Sequence, residues 1–200
     1  MLTYFSAPET IAALIPEYTD TGDQTVLYTA AGGKTVTSFR TSTLIRQLAR
    51  TWAIDLAALK KQTALATQRA ILQPLPICPS LTLVPVKVRL PRVPGDSSIG
   101  YVNSYCVAGL EACKPADSPA APKALICLQG GASIPCFWTS ATIRKALQQA
   151  RLFTSYSRTA KHCRPLKEST VSYDPHLEPI AQKLVEVFYD ILRLKQHPSD

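Results

Sequence analysis

One stretch constrains the chain more than any other: residues 81–103, LTLVPVKVRLPRVPGDSSIGYVN. An apolar run leads into Lys87, Arg89 and Arg92, which are interleaved with Val88, Leu90, Pro91 and Val93. A turn at residues 94–98 then opens a second apolar segment at Ile99. The period-two alternation of a strand places Lys87 and Arg89 on one face and Val86, Val88 and Leu90 on the other. Pro85 and Pro91 have no N–H to give a ladder, which predicts a strand at a sheet edge, or one that starts and stops at the prolines. A cationic edge suits an anionic partner, although the same charges also guard an edge against aggregation.

Charge elsewhere is distributed in blocks. Residues 1–33 contain Glu9, Glu17, Asp20 and Asp23 and no Lys or Arg, whereas residues 34–92 contain ten Lys/Arg and one acid, Asp55. Residues 139–167 contain seven Lys/Arg and no acid. With a net charge of +8, this is the pattern expected of a polyanion-binding surface, although a basic protein with solvated lysines shows it too. Arginine outnumbers lysine in these blocks, and its planar fork matches phosphate and base edges better.

The six cysteines are not expected to form a disulfide or metal framework. Cys78, Cys106, Cys127 and Cys136 lie in apolar segments, where a thiol behaves as a small hydrophobe, and no C-x2-C pair occurs. No metal or other cofactor is expected. No run approaches the roughly 18 apolar residues of a spanning helix, and the N-terminus has no basic, then apolar, leader pattern, so a cytoplasmic protein is expected, without a membrane partner. Enzymatic activity is not expected either. Carboxylates are sparse, and a pair such as Cys163 or Cys136 with His176 is one of many accidental combinations.

In chain order, residues 9–18 read as a first strand, 24–31 as a second and 34–40 as a third, the last two joined at Gly32-Gly33. The sequence Ala31-Gly32-Gly33-Lys34-Thr35 resembles the tail of a phosphate-cradling loop, but Tyr28 stands where that loop needs glycine, and a hairpin is expected instead. Residues 41–68 form the longest helical stretch, capped by Ser42 or Thr43, with Ile45, Leu48, Trp52, Leu56 and Leu59 on one stripe. Ala49, Ala53, Ile54 and Leu59 also sit roughly where a helix-turn-helix wants a small residue, a turn and a core contact, though that turn usually takes glycine. A continuous or once-broken amphipathic helix accounts for the same residues more simply.

Residues 73–80 form an extended, proline-rich lead-in, and residues 99–110 another strand. Residues 112–122 form a flexible proline-rich loop, and residues 124–128 and 133–138 a hairpin around Gly130-Gly131. Thr139 or Ser140 caps a helix to about Phe153, with Ile143, Ala146, Leu147 and Ala150 inward and Arg144, Gln148 and Arg151 outward. An extended basic arm follows, and a last helix runs from about Pro179 to Lys195 with an apolar stripe that includes Phe188. The fold expected is one α+β domain over residues 1–200, an antiparallel sheet with two or three covering helices.

The segments TIAALIPEY, SLTLVPVKVR and GYVN, followed by the order hairpin, basic helix, basic arm and terminal helix, resemble the competence transcription factor ComK family from about Thr10 to Lys195. A weaker resemblance, from Tyr101 through the basic arm, is to LytTR-type DNA-binding domains. The first resemblance implies an activator that binds A/T-rich promoter DNA of competence (DNA-uptake) genes. It also implies assembly as a homodimer or higher homo-oligomer and regulated proteolysis through an adaptor. On this reading Lys87, Arg89 and Arg92 line a DNA-facing side with Arg144, Lys145 and Arg151, while Arg158, Lys161 and Arg164 reach a phosphate strand or a narrow minor groove from a mobile arm. The alternative is a non-enzymatic interaction module that sets its basic faces against an acidic protein.

Overall fold

A computed structural model describes residues 7–19, 22–93, 96–114, 118, 121–162 and 183, with side chains from 154 to 162 excepted. The chain divides into two compact units, Met1–Ala160 and Lys161–Asp200. Of the second, the backbone of Lys161 and His162 is described, together with Lys183, a helical, exposed residue. The expected last helix otherwise lies outside the described residues, as do Arg164 and parts of the proline-rich loop.

The first unit is built on a six-stranded antiparallel sheet in the order β3-β2-β1-β6-β5-β4, comprising β1 (Ile11–Thr19), β2 (Gly22–Thr29), β3 (Lys34–Thr37), β4 (Leu75–Cys78), β5 (Leu81–Lys87) and β6 (Ile99–Asn103). A three-stranded sheet, β7 (Val107–Ala112), β8 (Ala124–Leu128) and β9 (Ser133–Cys136), is also antiparallel. Helices α1 (Thr41–Thr51), α2 (Leu56–Thr67) and α3 (Ser140–His162) complete an α+β fold. Among the described residues no helix is long and apolar enough to cross a membrane.

Alternation along the central strands divides the interior in two. Ile11 and Leu14 of β1, with Leu81 and Leu83 of β5, pack with Leu44, Ile45 and Leu48 of α1 and, half-buried, with Leu56 and Leu59 of α2. The opposite face sends Ala13, Ile15, Val84, Val86 and Val88 against β8, β9 and the inner face of α3. In α3 that inner face is Ile143, Ala146, Leu147 and Ala150, the i, i+3, i+4, i+7 positions expected from the sequence, and all four are buried. Thr139 caps the helix, its hydroxyl oxygen accepting from the Thr142 N–H at 3.3 Å.

Gly100 lies in β6 beside its sheet neighbour β1: a Cβ there would stand 2.9 Å from Ile15 Cδ1 and 3.2 Å from the Leu14 carbonyl oxygen. Three residues on, the fully buried Asn103 donates to the carbonyls of Ile11 and Ser80, both at 3.1 Å, and accepts from the N–H of Thr82 and Tyr105, both at 3.3 Å. One side chain thereby ties β6 to the start of β1 and to the β4–β5 turn, with every amide group used.

Several expectations need correction. The central strand β5 lies inside the sheet, between β6 and β4, not at an edge. Pairing with β4 reaches only Leu83, so on that flank there is no ladder for Pro85 to interrupt. The strand ends at Lys87, which leaves Arg89 and Arg92 beyond it, and Leu90, expected inside, is 40% exposed. Residues 99–110 are two strands of different sheets, parted by a turn at Ser104-Tyr105. Neither Ser42 nor Thr43 caps α1, whose N-cap is Arg40 without a side-chain bond, while Thr41 is buried against the Thr25 hydroxyl at 3.1 Å. Cys106 and Cys136 are buried, but Cys78, Cys113 and Cys127 are half-buried, and all five are free thiols. Burial pushes the thiols of Cys106 and Cys136 above the usual cysteine range.

The long helical stretch is broken once. After Thr51 the chain closes a 6→1 bond from the Ile54 N–H to the Ala49 carbonyl at 2.8 Å, and Ala53 donates to the Arg50 carbonyl at 3.1 Å. This is a Schellman end, with Ala53 in the left-handed region at φ +50°. Asp55 then caps α2, accepting from the N–H groups of Ala57 and Ala58 at 2.8 and 3.1 Å. The break turns Trp52 out of the expected stripe, leaving it 39% exposed. A left-handed alanine costs about 1–2 kcal/mol that glycine avoids. Ala53→Gly is therefore expected to raise stability by about 1 kcal/mol after the added backbone entropy, read from the denaturant midpoint at constant slope. A lower midpoint would contradict the left-handed end.

Candidate nucleic-acid interface

Helices α1, α2 and α3 contain no carboxylate. TSTLIRQLART, LAALKKQTALAT and the whole of α3 have neither Asp nor Glu, although acids in a first turn would stabilise each helix end. Their apolar faces are taken up by the sheet, so their cations point outward: Arg46, Arg50, Lys60, Lys61, Arg144, Lys145 and Arg151 are all exposed. Arg46, Arg50, Lys60, Lys61, Arg144 and Lys145 have no ion-pair partner among the described residues. The two ion pairs seen there are Lys34–Glu17 at 3.7 Å and Arg89–Asp23 at 2.7 Å. The first is half-exposed and contributes little.

The expected row of Lys87, Arg89 and Arg92 does not form. Lys87 is half-buried and shares its strand parity with Leu81 and Leu83, whereas α3 packs against Val84, Val86 and Val88. Lys87 and the cations of α3 therefore stand on opposite faces of the large sheet. Arg89 is turned inward and only 9% exposed. Its Nη2 donates to Asp23 Oδ1 at 2.7 Å, its Nε donates to the Ser97 carbonyl at 2.6 Å, and its guanidinium lies 3.9 Å from the centre of the Tyr18 ring. Nη1 is buried without a hydrogen-bond partner among the described residues. Arg92 is exposed, with its guanidinium 4.3 Å from the centre of the same ring.

Tyr18 organises this corner. Its hydroxyl donates to the Asp96 carboxylate and accepts from the Arg92 N–H at 2.9 Å. Asp96 also accepts from the Val93 N–H at 3.2 Å. With Glu17, Tyr28, Val88 and Pro135, these arginines line a cleft of about 350 Å³. The Tyr18 hydroxyl holds the Asp96 carboxyl below the usual carboxylate range. The folded value lies below the unfolded one, so the anchoring is present above the unfolded value and is lost as pH falls through the folded one. In Tyr18→Phe the midpoint of the Asp96 carboxyl ¹³C titration is expected to move upward. An unchanged midpoint would show that the hydroxyl does not set it.

Arg158 and Lys161 belong to the backbone of α3, which runs to His162 rather than ending near Phe153, so the expected extended arm begins no earlier than residue 163. The contribution of α2 was obscured in the sequence because one helical stripe, Ile45, Leu48, Trp52, Leu56 and Leu59, runs across the break. The signal in the sequence that separates α2 from α1 is Asp55, a residue type favoured at an N-cap, and it caps α2. Among the described residues no cluster of His, Cys, Asp or Glu could hold a metal ion. No family model, curated protein or solved structure matches the chain.

Proposed function

We propose that this chain binds double-stranded DNA through its acid-free helical faces and acts as a transcriptional regulator of the ComK kind. In that role it activates competence genes from A/T-rich promoter DNA in the cytoplasm, as a homodimer or higher homo-oligomer under adaptor-mediated proteolysis. The observation that carries the reading is the absence of any carboxylate from α1, α2 and α3, whose described cations are exposed. A solvated helix ordinarily mixes both signs, because opposite charges at i, i+4 support it. A surface that keeps only cations forgoes that support and is suited to a polyanion, whose condensed counterions are released on contact. Among the described side chains Arg144, Lys145 and Arg151 are the exposed cations on α3, and Lys87 lies on the other face of the large sheet. Arg158, Lys161 and Arg164 remain phosphate-contact assignments on or after the same helix. Arg89 is withdrawn from this surface, since it is held by Asp23 and the Ser97 carbonyl.

Fluorescence anisotropy on duplexes of about 30 base pairs tests the proposal. Log affinity is expected to fall linearly with log salt, with a slope of about 0.9 per phosphate contact. A/T-rich duplexes should be preferred over G/C-rich ones of equal length. A flat salt response would overturn DNA binding. Salt-dependent binding without A/T preference would favour general attraction to acidic partners, the interaction-module reading.

A further inference from the structure

We propose that residues 41–67 are a DNA-reading helix-turn-helix in which α2 lies in the major groove and sets Ala57 and Ala58 against thymine methyl groups, with Lys60 and Lys61 beside them. This rests on the DNA-binding reading above and names the element that would supply its A/T preference.

Three observations converge on this segment. First, α1 and α2 are joined by only four residues, with a left-handed turn at Ala53 and the small Ala49 buried one turn before it. A helix-turn-helix places a short turn between its supporting and reading helices, and that turn often contains glycine. Ala53 adopts the left-handed conformation without being glycine, and strain of this kind persists where the geometry itself is required.

Second, burial is unequal between the two helices. In α1, Thr41, Leu44, Ile45, Leu48 and Ala49 are buried, as in a supporting helix. In α2 only Thr63 is buried, and Leu56 and Leu59 are half-buried. The helix is attached along one narrow edge, and Ala57, Ala58, Lys60, Lys61 and Gln62 of its first two turns face solvent.

Third, the chemistry of that face suits the groove. Each thymine shows a C5-methyl and an O4 acceptor in the major groove, the partners of an alanine methyl and a lysine ammonium respectively. Lys60 and Lys61 have no ion-pair partner among the described residues, and α2 contains no acid to repel phosphates. The nearby Asp55 carboxylate is occupied by the Ala57 and Ala58 N–H groups at the positive end of the helix.

The experiment compares one A/T-rich 30-base-pair duplex with the same duplex carrying deoxyuridine for every thymidine. Pairing and the minor-groove edges are kept, and the major-groove methyls are removed. The wild-type chain is expected to bind the uracil duplex about tenfold more weakly. K60A/K61A should weaken binding to the thymine duplex by about tenfold or more, with K60R/K61R retaining it. Circular dichroism confirms that both double variants are folded, and the uracil comparison uses the wild-type chain alone, so it decides even if a variant does not fold. Equal wild-type affinity for both duplexes, or K60A/K61A binding like wild type, would overturn the inference while the measured wild-type affinity leaves DNA binding standing. Failure of the wild-type chain to bind either duplex at low salt would overturn the proposed function itself, and this inference with it.

Discussion

Gly32→Ala is expected to lower the unfolding free energy of the first unit by about 2–5 kcal/mol, the combined cost of a left-handed non-glycine residue and of forced overpacking. Gly32 has φ +89° in the β2–β3 turn. A Cβ placed there would stand 2.6 Å from the carbonyl oxygen of Gly130, in the β8–β9 turn. The relation is reciprocal, since a Cβ on Gly130 would stand 2.5 Å from the Gly32 nitrogen. The obstacle in each case is backbone rather than the end of a flexible side chain, so relief requires one hairpin turn to move off the other. These turns belong to different sheets, and their contact helps close the apolar cluster between the sheets. Gly130→Ala should therefore destabilise as well. By contrast Gly109, with no atom within 4 Å of an added Cβ and no left-handed φ, should accept alanine with little change. Chemical denaturation of the three variants checks this. Equal midpoints for Gly32→Ala and Gly109→Ala would exclude the turn-on-turn contact.

The second large effect is expected at Arg89. Its side chain and that of Asp23 are 10% and 15% exposed, so the pair is nearly desolvated. Removing one partner of a buried pair leaves an uncompensated charge and costs about 3–5 kcal/mol. Arg89→Ala also removes the bond to the Ser97 carbonyl and one guanidinium from the Tyr18 ring. Asp23→Ala should have a comparable effect. The double variant R89M/D23L should lose much less than the sum of the two, because it buries no charge. Urea unfolding of the singles and the double gives the coupling directly. If Arg89→Ala kept wild-type stability and instead weakened duplex binding, Arg89 would be a surface contact after all. Arg144→Ala serves as the comparison, since an exposed α3 cation should alter duplex affinity with stability within about 0.5 kcal/mol of wild type.

Much of the fold could be read directly from short-range pattern. The inward set of α3 follows from spacings of three and four, and the two glycine hairpins follow from Gly32-Gly33 and Gly130-Gly131 between apolar runs. The parity of β5 was also legible, because alternation depends only on nearest neighbours. Boundaries were less so. The apparent stripe through Trp52 ran across a helix end, because a left-handed alanine carries no compositional mark. The shared α+β class follows from these local elements, since each leaves an apolar face that another must cover.

The sequence by itself determined where the cations are and that residues 41–51, 56–67 and 140–162 bear no acids. Only the tertiary structure decided which cations face outward. Arg89 and Arg92 look alike in the chain, yet one is closed in an ion pair with Asp23, 66 residues away, and the other is exposed. Lys87 was grouped with the cations of α3, yet the sheet lies between them. The partner of a charged side chain and the side of a sheet on which it emerges are set by strand order and register, and these arise from pairing between segments far apart in sequence, which no local periodicity encodes.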